Sequence, residues 1–535
     1  MGDGRPVVGN DWGGLNPPGL GQWQPSESVS VIIPAYRCQR SLPLVLAALR
    51  HQTYPSSLLE VVVVDDGTQP PLELPELLPD NCRLVRAADY SDGWGRANAL
   101  QVGVTVSDGT VLHWLDADLV PFPEHVAAQA RWHHVTPDAV TLGYKRFVPH
   151  AWPTVAEVAQ RARDGTLTEL FPPHETEPHD YIEELIEATD QLRAADHLVF
   201  RAHVGATAAL RRAFYQEAGG LDTSLRLGED SEFGYRLAQA GAIFVPEPQA
   251  RSWHLGPSHA MRIGERLRRH NQPYLADRMA LPRWLRGHTR RGWAVPLVLA
   301  VVAVEDAPLE QVRACVDALL GGEEYDLRVA LVGPWSGLTD GRRSVLEDPL
   351  LDLRLVAETY RAEPRVSLLE REPATAFPSP YLLRVPVGLQ VAADTVSRLI
   401  NEADQRRVGL VRLLPLAEGT GPQPPTIELW RTAAVARARR HLPDRPVAEA
   451  VTLVWGSRWL TDAGRAVTPS GEGSLAAAGR PGTRRIRGGG RAASRAAGHP
   501  VGPVPVAGVR SLLRATGYVG RLAAARAWGR LRAGP

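Results

Sequence analysis

Short apolar runs that end in polar or acidic residues alternate with helix-like segments through the first half of this chain. The runs predict buried strands, and the segments between them have helical spacing. Strands that alternate with helices predict a doubly wound, mainly parallel α/β sheet, with ligands at the carboxyl ends of the strands. The strand candidates are VSVIIP (29–34), EVVVVDDGT (60–68), CRLVRA (82–87) and TVLHWL (110–115), and the helix candidates are SLPLVLAALRHQ (41–52), GRANALQVGVTVS (95–107) and PEHVAAQARWHH (123–134).

Carboxylates stand where two of these predicted strands end. Asp65 and Asp66 close the second run, and Asp116 and Asp118 follow the fourth, one residue apart. The later pair has an ordinary interpretation as a turn, because Asp favours turns and Pro121 follows. Carboxylate oxygens at a strand end also suit Mg²⁺ or Mn²⁺, which would neutralise the charge on a departing diphosphate.

Two further acids and a histidine lie in the segment RLGEDSEFGYRLAQAGAIFVPEPQARSWHLG (226–256). Glu229 and Asp230 stand just before a predicted helix with Phe233 and Leu237 on one side. The helix dipole favours acids there, which is a purely structural explanation. A carboxylate at the mouth of a cleft could instead take a proton from an acceptor hydroxyl. His254 follows a predicted strand and could be a further metal ligand.

Length and composition predict a multidomain protein of a reducing compartment. At 535 residues the chain is too long for one core, so we expect two or three domains. Its three cysteines are far apart and odd in number, which argues against a disulfide framework. No apolar signal segment opens the sequence, and AVPLVLAVVAV (294–304) is shorter than the about 20 residues that span a bilayer. We therefore expect a cytoplasmic location and a buried strand at 294–304.

A second strand–helix–strand pattern begins near Trp293, with VPLVLAVVAVED (295–306), PLEQVRACVDALL (308–320) and DLRVALVG (326–333). It is either a degenerate internal duplication at an offset of roughly 270 residues, or an unrelated α/β domain. In a duplication, Arg384 and Val385 come near the position of the acid pair. The second pattern would then fold like the first and bind no metal.

Composition divides the chain into a disordered N-terminus (1–27), a first α/β domain (28–290), a second α/β domain (291–460) and a low-complexity basic tail (461–535). The tail has thirteen arginines against Asp462 and Glu472, a net charge of +11, so the first 460 residues carry −10. VRSLLRATGYVGRLAAARAWGRLR (509–532) resembles a basic amphipathic helix that could make peripheral contact with an anionic membrane. An Arg- and Ala-rich disordered end is the alternative.

Five motifs in one order resemble a family 2 glycosyltransferase with the GT-A fold. They cover residues 29–258, nearly half of the chain, and are VSVIIPAYR (29–37), QTYP (52–55), VVVVDDGT (61–68), LDADLVP (115–121) and GGLDTSLRLGEDSEFGYRLAQAGA (219–242). The segment 228–256 is similar to the C-terminal region of the galactosyl- and N-acetylgalactosaminyltransferases of that family. The resemblance implies a doubly wound mixed sheet of the GT-A type.

The resemblance also implies roles for individual residues. Asp118 would be the direct metal ligand, with His254 completing the shell, and the metal would be Mn²⁺ or Mg²⁺. Asp230 would be the general base, with Glu229 beside it. Arg96 stands one place from the family's usual order, whereas Asn98 fits a donor contact. The donor nucleotide would contact Pro34, Ala35, Tyr36, Asp66, Asn98 and Asp116, with Asp66 accepting from the base, usually uracil.

The implied activity is inverting transfer of one sugar from a nucleotide-diphosphate donor, usually a UDP-sugar, to an acceptor hydroxyl. The acceptor would be a saccharide or lipid-linked, in cell-surface polysaccharide or glycolipid synthesis, with no nucleic acid as partner. The chain lacks the Q-x-x-R-W motif of the processive synthases, which argues against polymer extrusion. A catalytically silent GT-A-like scaffold that binds sugar or nucleotide is the alternative. A nucleotidyltransferase would need a Gly-rich phosphate loop with Lys, and IIPAYRCQR (32–40) is not one.

Overall fold

The computed structural model of the protein describes residues 6–148, 152–287, 290–414, 425–461 and 467–469. Residues 1–475 form one compact unit, and within its described part there are two large sheets. The boundary predicted at 290/291 falls between the two sheets. The predicted amphipathic helix at 509–532 lies outside the described residues.

The first sheet has the strand order β3-β2-β1-β4-β8-β6-β9-β5, with β7 paired to β6. Its strands are β1 (Val29–Ala35), β2 (Leu59–Asp65), β3 (Cys82–Arg86), β4 (Val111–Leu115), β5 (Leu119–Pro121), β6 (Ala139–Val148), β7 (Glu177–Pro178), β8 (Thr207–Arg211) and β9 (Ile243–Leu255). The helices are α1 (Leu42–Leu49), α2 (Arg96–Val106), α3 (His125–Ala130), α4 (Val155–Arg163), α5 (Asp180–Ala188), α6 (Arg212–Glu217), α7 (Glu229–Gln239) and α8 (His259–Arg278). Strands β1 to β4 are parallel, and β8 is antiparallel to β4 and β6.

The continuous apolar runs are explained by burial on both faces of this sheet. Every residue of β2 is buried. Ile32 and Val62 pack in one hydrophobic cluster, whereas Val31 and Val63 pack in another, because alternate side chains of a strand point to opposite faces. Burial on both faces therefore favours apolar residues at successive positions, as in Val61 to Val64.

The second sheet has seven strands, in the order β12-β11-β10-β13-β16-β15-β17, which repeats the order of seven strands of the first sheet. Its strands are β10 (Val298–Ala303), β11 (Leu327–Val332), β12 (Val366–Leu369), β13 (Tyr381–Arg384), β15 (Leu410–Leu414), β16 (Ile427–Arg431) and β17 (Ser457–Thr461). Two further strands, β14 (Leu389–Val391) and β18 (Val467–Pro469), pair with each other in a separate two-stranded sheet. The helices here are α9 (Leu309–Leu320), α10 (Leu351–Tyr360), α11 (Thr395–Arg406), α12 (Thr432–His441) and α13 (Val447–Trp455).

The pairing directions and registers of the two sheets also agree. Val29 lies opposite Leu59 and Val111, and Val298 lies opposite Leu327 and Tyr381, in parallel pairs each time. The antiparallel pairs β4–β8 and β6–β8 have counterparts in β13–β16 and β15–β16. The shared order, directions and register favour the duplication, since an unrelated α/β domain would have no reason to repeat all three.

The two copies differ in the segment between their sixth and seventh core strands. In the first copy, α4, β7 and α5 lie between β6, which ends at Val148, and β8, which begins at Thr207. In the second copy β15 ends at Leu414 and β16 begins at Ile427. The first copy therefore carries a long insertion, here called the β6–β8 segment (149–206), that the second copy lacks.

The predicted disorder of residues 1–27 is wrong for residues 6–27. Asn10 is buried and its side-chain amide donates to the carbonyl oxygens of Leu192 and Phe244, at 3.0 and 2.9 Å, and accepts from the Phe244 amide. Trp12 packs edge-on against Trp132. Composition suggested a loose end because Gly and Pro are frequent, but these few anchors hold the segment on the first sheet.

Within the described part of the chain, no helix is both long enough and apolar enough to cross a bilayer. The apolar run at 294–304 contains strand β10, as predicted.

Candidate active site

The acid pair lies in the short connection between β4 and β5, at the carboxyl edge of the first sheet. The connection is fixed by backbone bonds, since the Asp116 amide donates to the Ala206 carbonyl and the Leu119 amide to the Asp116 carbonyl, both at 3.1 Å. The Leu255 amide donates to the Asp118 carbonyl at 2.9 Å. These bonds take the chain out of regular strand geometry, so that the carboxylates at positions i and i+2 can face the same space.

His254 is brought to Asp118 by strand pairing. Leu119 of β5 lies opposite His254 of β9, and the His254 Nε2 is 3.8 Å from the Asp118 Oδ1. The His254 Nδ1 is 2.9 Å from the Gly256 carbonyl oxygen, so Nδ1 carries the proton and the Nε2 lone pair points towards the carboxylate side. Burial lowers the pKa of His254, which favours the neutral imidazole that a metal binds.

The donor set at this edge fits an Mg²⁺ or Mn²⁺ ion that is shared with a substrate diphosphate. Such ions keep open positions and are held by one or two protein groups together with phosphates. Asp118 and His254 are two such groups. Desolvation, aided by the neighbouring Asp116, raises the pKa of Asp118, as expected for a carboxylate that a cation would stabilise. Among the described residues, no group of three or more His, Cys, Asp or Glu side chains could hold a metal ion by itself.

Arg96 joins the acid pair to the acids of α7. Its Nε and Nη2 are 3.1 and 2.9 Å from the Asp116 Oδ1, and its Nη1 is 3.0 Å from the Glu229 Oε1. Nη2 also donates to the Gly205 carbonyl. Burial disfavours its charge, but Asp116, Glu229 and Asp230 together raise the pKa of Arg96. In the sequence Arg96 stands one place from the family's usual order, whereas the structure makes it the centre of an ion-pair network.

Helix α7 begins at Glu229, so both acids lie in its first turn rather than just before it. Glu229 is buried, and burial together with Asp230 raises the pKa of Glu229 against the opposing effect of Arg96. Asp230 is only half-buried. A buried carboxylate that is committed to a guanidinium is poorly placed to take a proton from an incoming hydroxyl. The geometry therefore favours Asp230 over Glu229 as the base.

Asp65 and Asp66 differ in their hydrogen bonds: both carboxylate oxygens of Asp65 have a donor, whereas only one of those of Asp66 does. The Asp65 carboxylate accepts from the Thr68 and Leu72 amides at 2.9 and 3.1 Å, which closes the turn after β2. The Asp66 Oδ2 accepts from the Gly95 amide at 2.8 Å, but its buried Oδ1 has no partner within the described structure. Burial raises the pKa of Asp66. A buried acceptor atom without a donor indicates a place for a ligand N–H group.

An aromatic corner stands beside Asp66. The Trp94 Nε1 donates to the Asp66 carbonyl at 2.9 Å, and its ring meets the Tyr36 ring edge-on at 5.6 Å. Both side chains are exposed, by 50% and 42%. Sequence reasoning found Tyr36 through its motif and missed Trp94, because only the fold brings the loop before α2 against the end of β1.

Other predicted donor residues lie on the same edge. Pro34 and Ala35 end β1, and the Ala35 carbonyl accepts from the Asp66 amide at 2.8 Å. The Asn98 Oδ1 accepts from the Ser91 hydroxyl at 2.8 Å, and its buried Nδ2 has no partner in the described structure. The fold thus gathers at one edge all of the residues predicted for donor, metal and base.

Two further groups at this edge were not predicted. Lys145 is buried on β6, and although burial lowers the pKa of Lys145, the charges of Asp116, Asp118 and Asp230 oppose that change. His203 places its Nδ1 2.9 Å from the Asp230 carbonyl oxygen, and its buried Nε2 has no partner in the described structure. Neither has a local sequence signal, since both reach the site only through tertiary packing.

In the second copy the equivalent positions carry no acid. Register places Pro386 where the first copy has Asp116 and Gly388 where it has Asp118. These positions lie two and three residues beyond Arg384 and Val385, the counterparts that the sequence alone suggested. The β14–β18 pair sets Pro469 opposite Leu389, as β5–β9 sets His254 opposite Leu119. Each carboxylate or imidazole of the metal-binding set is thus replaced by a residue without a ligating side chain.

The fold and the acidic edge define a class of protein, a GT-A-like α/β domain followed by a second α/β region, as predicted. Residues 30–153 match the family model described as "Glycosyl transferase family 2". The matched residues include the acid pair, so this part of the chain is similar to that family.

Curated relatives agree with this assignment. The chain is 24% identical over 365 residues to the chondroitin synthase of Escherichia coli, covering 65% of this chain and 50% of that protein. It is 25% identical over 370 residues to the hyaluronan synthase of Pasteurella multocida, covering 64% and 35%. It is 27% identical over 250 residues to the validoxylamine A glucosyltransferase of Streptomyces hygroscopicus subsp. limoneus, covering 43% and 52%. The chain spans about half, or less, of the length of these relatives.

Among solved structures, the chain is similar to a mannosyltransferase from Pyrobaculum calidifontis in complex with GDP-Man and Mn²⁺, with 20% identity and a TM-score of 0.33. That similarity covers 51% of this chain and 70% of the other. A second similarity, to GalNAc-T7 with UDP, GalNAc and Mn²⁺, has 17% identity and a TM-score of 0.32, and covers 44% of each chain.

Proposed function

We propose that this protein is an inverting, metal-dependent glycosyltransferase that moves one sugar from a nucleotide-diphosphate donor to an acceptor hydroxyl. The observation that carries the proposal is the convergence of Asp116, Asp118, His254 and Asp230 at one strand edge, where Arg96 pairs with Asp116 and Glu229. The names of the curated relatives support a place in polysaccharide synthesis.

The donor nucleotide would occupy the space beside Asp66. The unpartnered Oδ1 of Asp66 is suited to accept the imide N–H of a uracil base, and the Tyr36–Trp94 corner offers an aromatic wall for the same ring. The free Nδ2 of Asn98 would donate to the donor from the first turn of α2, where the helix dipole also favours a phosphate. A UDP-sugar is the donor that this arrangement suits best.

Transfer is a single displacement. Asp230 takes the proton of the acceptor hydroxyl, and the acceptor oxygen forms its bond to the anomeric carbon from the face opposite the diphosphate. The bond from the anomeric carbon to the diphosphate oxygen breaks, and its electron pair leaves with the nucleotide diphosphate. Attack from the opposite face inverts the anomeric configuration. A bound Mn²⁺ or Mg²⁺, with Asp118 and His254 as its protein ligands, would supply positive charge for the leaving group.

Arg96 holds this arrangement rather than reacting in it. Its guanidinium bonds Asp116 on one side and Glu229 on the other, so it holds the acid pair and the first turn of α7 in fixed relative positions. Glu229 is therefore a positioning residue in this proposal. The alternative of a silent scaffold is disfavoured in the first copy, where every matched acid is present, and describes the second copy better.

The test is release of nucleotide diphosphate from a panel of nucleotide sugars, with Mn²⁺ and with the ion removed by EDTA. We expect one donor to be turned over with Mn²⁺ and to raise the melting temperature in its presence, because a ligand that binds only the folded state stabilises it. Turnover that is equal in EDTA would contradict the metal dependence. No stabilisation or turnover with any donor would favour the silent scaffold.

A further inference from the structure

A cavity of about 450 Å³ lies between the two copies, inside the compact unit that contains both. The first copy and the N-terminal segment provide Gln239 and Asn10 to its wall, and the second copy provides Arg407, Arg431 and Trp455. Cavities of about 300–1,000 Å³ are the size that takes up a small organic ligand. We call this space the inter-copy cavity. None of the residues that line it belongs to the proposed transfer site.

The inter-copy cavity is separate from the acidic edge of the first sheet. Gln239 is the last residue of α7, whose first turn holds Asp230. A helix rises about 1.5 Å per residue, so these two residues are roughly 14 Å apart along its axis. In the second sheet, Arg431 pairs with Tyr381 at the start of β13, which is the end opposite to Pro386. A ligand in the cavity would therefore not occupy the donor site.

Buried hydrogen bonds between the copies fix the walls of the cavity. Arg437 of α12 is only 1% exposed, and its Nε and Nη2 donate to the carbonyl oxygens of Gly241 and Ala242, at 3.0 and 2.6 Å. The Tyr235 hydroxyl donates to the Pro378 carbonyl at 2.6 Å. The cavity is therefore a preformed space of the fold, as small-molecule sites usually are.

Several groups of the wall can donate hydrogen bonds and have no acceptor. Gln239 is 4% exposed, and its side-chain amide has no partner among the residues that the structure describes. The Arg407 guanidinium likewise has no hydrogen bond or ion pair in the described part of the chain. Buried Arg431 uses Nη2 on the Asp404 carboxylate, at 2.8 Å, and Nε on the Val408 carbonyl, at 3.3 Å, so its Nη1 remains for another acceptor. Buried donors without an acceptor indicate a place for a ligand.

The acids of the wall are already bonded. The Asp404 Oδ1 accepts from Arg431 and from the Tyr381 hydroxyl, and Asp196 accepts from a backbone amide of its own loop at 2.8 Å. Ala433, which also lines the cavity, is in the first turn of α12, where backbone amides have no acceptor within the helix. Guanidinium groups beside a helix N-terminus are suited to a phosphate group.

The rest of the wall suits the body of a small organic molecule, because Trp455 and several aliphatic side chains line it. We propose that the inter-copy cavity binds a small phosphate monoester, of the size of a hexose phosphate or a nucleoside monophosphate. Arg407, Arg431 and Gln239 donate to its oxygens. This site does not depend on the proposed transfer activity.

The experiment titrates four probes into the full chain by calorimetry in the presence of EDTA. Two are phosphate monoesters, glucose 1-phosphate and adenosine monophosphate, and two are their uncharged counterparts, glucose and adenosine. Adenine has no imide N–H for Asp66, and EDTA removes the ion that a donor diphosphate would share. We expect one ester or both to bind about tenfold more tightly than the uncharged counterpart, the scale of one hydrogen bond to a charged group. The tighter ester identifies whether the ligand is a sugar phosphate or a nucleotide.

Two substitutions remove donors without weakening the fold. Arg407 has a φ of 54° at the end of α11, a left-handed conformation that glycine adopts at lower cost. Arg407→Gly should therefore keep or raise the melting temperature while it weakens binding of the ester by about tenfold. Gln239→Leu removes the unpaired amide at similar volume. It should also keep the melting temperature and weaken binding of the ester.

The controls are Arg398→Gln, at another exposed arginine of α11, and Asp66→Asn, in the donor site, and both should bind the ester like the wild type. No binding of either ester, or equal binding of the esters and their uncharged counterparts, would overturn the proposal. So would wild-type affinity in the folded Arg407→Gly protein, or loss of binding in Asp66→Asn. Donor turnover in Mn²⁺ is a separate measurement, so failure of the proposed function would appear there and leave these outcomes unchanged.

Discussion

Replacing Arg96 with methionine should destabilise the protein, because it leaves carboxylates without their cation inside the site. Methionine keeps the unbranched stem and the helix propensity while removing the guanidinium. Three hydrogen bonds to carboxylates would be lost, two at the Asp116 Oδ1 and one at the Glu229 Oε1. The bond from Nη2 to the Gly205 carbonyl would be lost as well.

The structure allows an estimate of the cost. Breaking a fully buried ion pair costs about 3–5 kcal/mol, mainly through the charge that is left unpaired. The Glu229 side chain is only 7% exposed, which is close to that limit, whereas the Asp116 side chain is 27% exposed and keeps some solvent. We therefore expect Arg96→Met to lower the free energy of unfolding by about 2–4 kcal/mol.

A second substitution separates lost pairing from lost packing. Glu229→Gln in the Arg96→Met background removes the buried charge that the first change has left behind. The double variant should lose less free energy of unfolding than the two single variants lose when added together, by about 1–2 kcal/mol. Arg361→Met, on an exposed pair with Glu358, is the control and should change stability by less than about 0.5 kcal/mol.

Urea unfolding followed by tryptophan fluorescence gives the midpoints and slopes for the wild type, the single variants Arg96→Met and Glu229→Gln, the double variant and the Arg361→Met control. The account is refuted if Arg96→Met unfolds at the wild-type midpoint with an unchanged slope. Strict additivity of the two substitutions would refute it too, since unpaired charge would then not be the source of the loss.

Three other predictions use different parts of the structure. Asp230→Asn should lower sugar transfer by about 10²-fold or more while calorimetric donor affinity stays near that of the wild type, and a collapse of donor affinity would make Asp230 a binding residue instead. Asp138 is buried, with its Oδ2 2.9 Å from the His441 Nε2, and this hydrogen bond together with the charge of Arg437 holds the pKa of Asp138 far below its usual range despite burial. The ionised Asp138 carboxylate stabilises the folded protein fully above its unfolded-state pKa of about 4, and this stabilisation is lost as the pH falls towards its folded-state pKa. The difference in melting temperature between the wild type and Asp138→Asn should therefore be full at pH 7 and shrink below about pH 4. A difference that is the same at pH 3 and pH 7 would disprove the assignment. The tail should let the full chain sediment with anionic liposomes more than a chain ending at Leu460, and equal sedimentation would leave the tail without that role.

Most of the first sheet could be predicted from the sequence because its strands are buried on both faces. In β2 the run from Val61 to Val64 is apolar without a break and ends in acids, which predicts both the strand and the edge that meets ligands. The second α/β pattern was visible for the same reason, since β10 and β11 are similar apolar runs. What the sequence could not fix was the register, and so it placed the counterparts of the acid pair at Arg384 and Val385 instead of Pro386 and Gly388.

The parts of the site that escaped prediction depend on contacts between distant segments. Arg96 is joined to Glu229 across more than a hundred residues, and His203 reaches Asp230 from the β6–β8 segment. The anchoring of Asn10 on Phe244 is a similar case, because a few hydrogen bonds outweigh the composition of a Gly- and Pro-rich end. Local patterns carry no information about such pairings, which only the folded sheet creates.

The most direct test of the central claim is nucleotide-diphosphate release in Mn²⁺ by the wild type, Asp118→Asn and Asp306→Asn. Asp118→Asn removes the proposed metal ligand with little change in shape, and Asp306→Asn makes the same change at an exposed acid that follows β10 in the second copy. We predict that Asp118→Asn loses Mn²⁺-dependent release while Asp306→Asn keeps the wild-type rate. Retained Mn²⁺-dependent release in a folded Asp118→Asn protein would contradict the assignment of the acid pair.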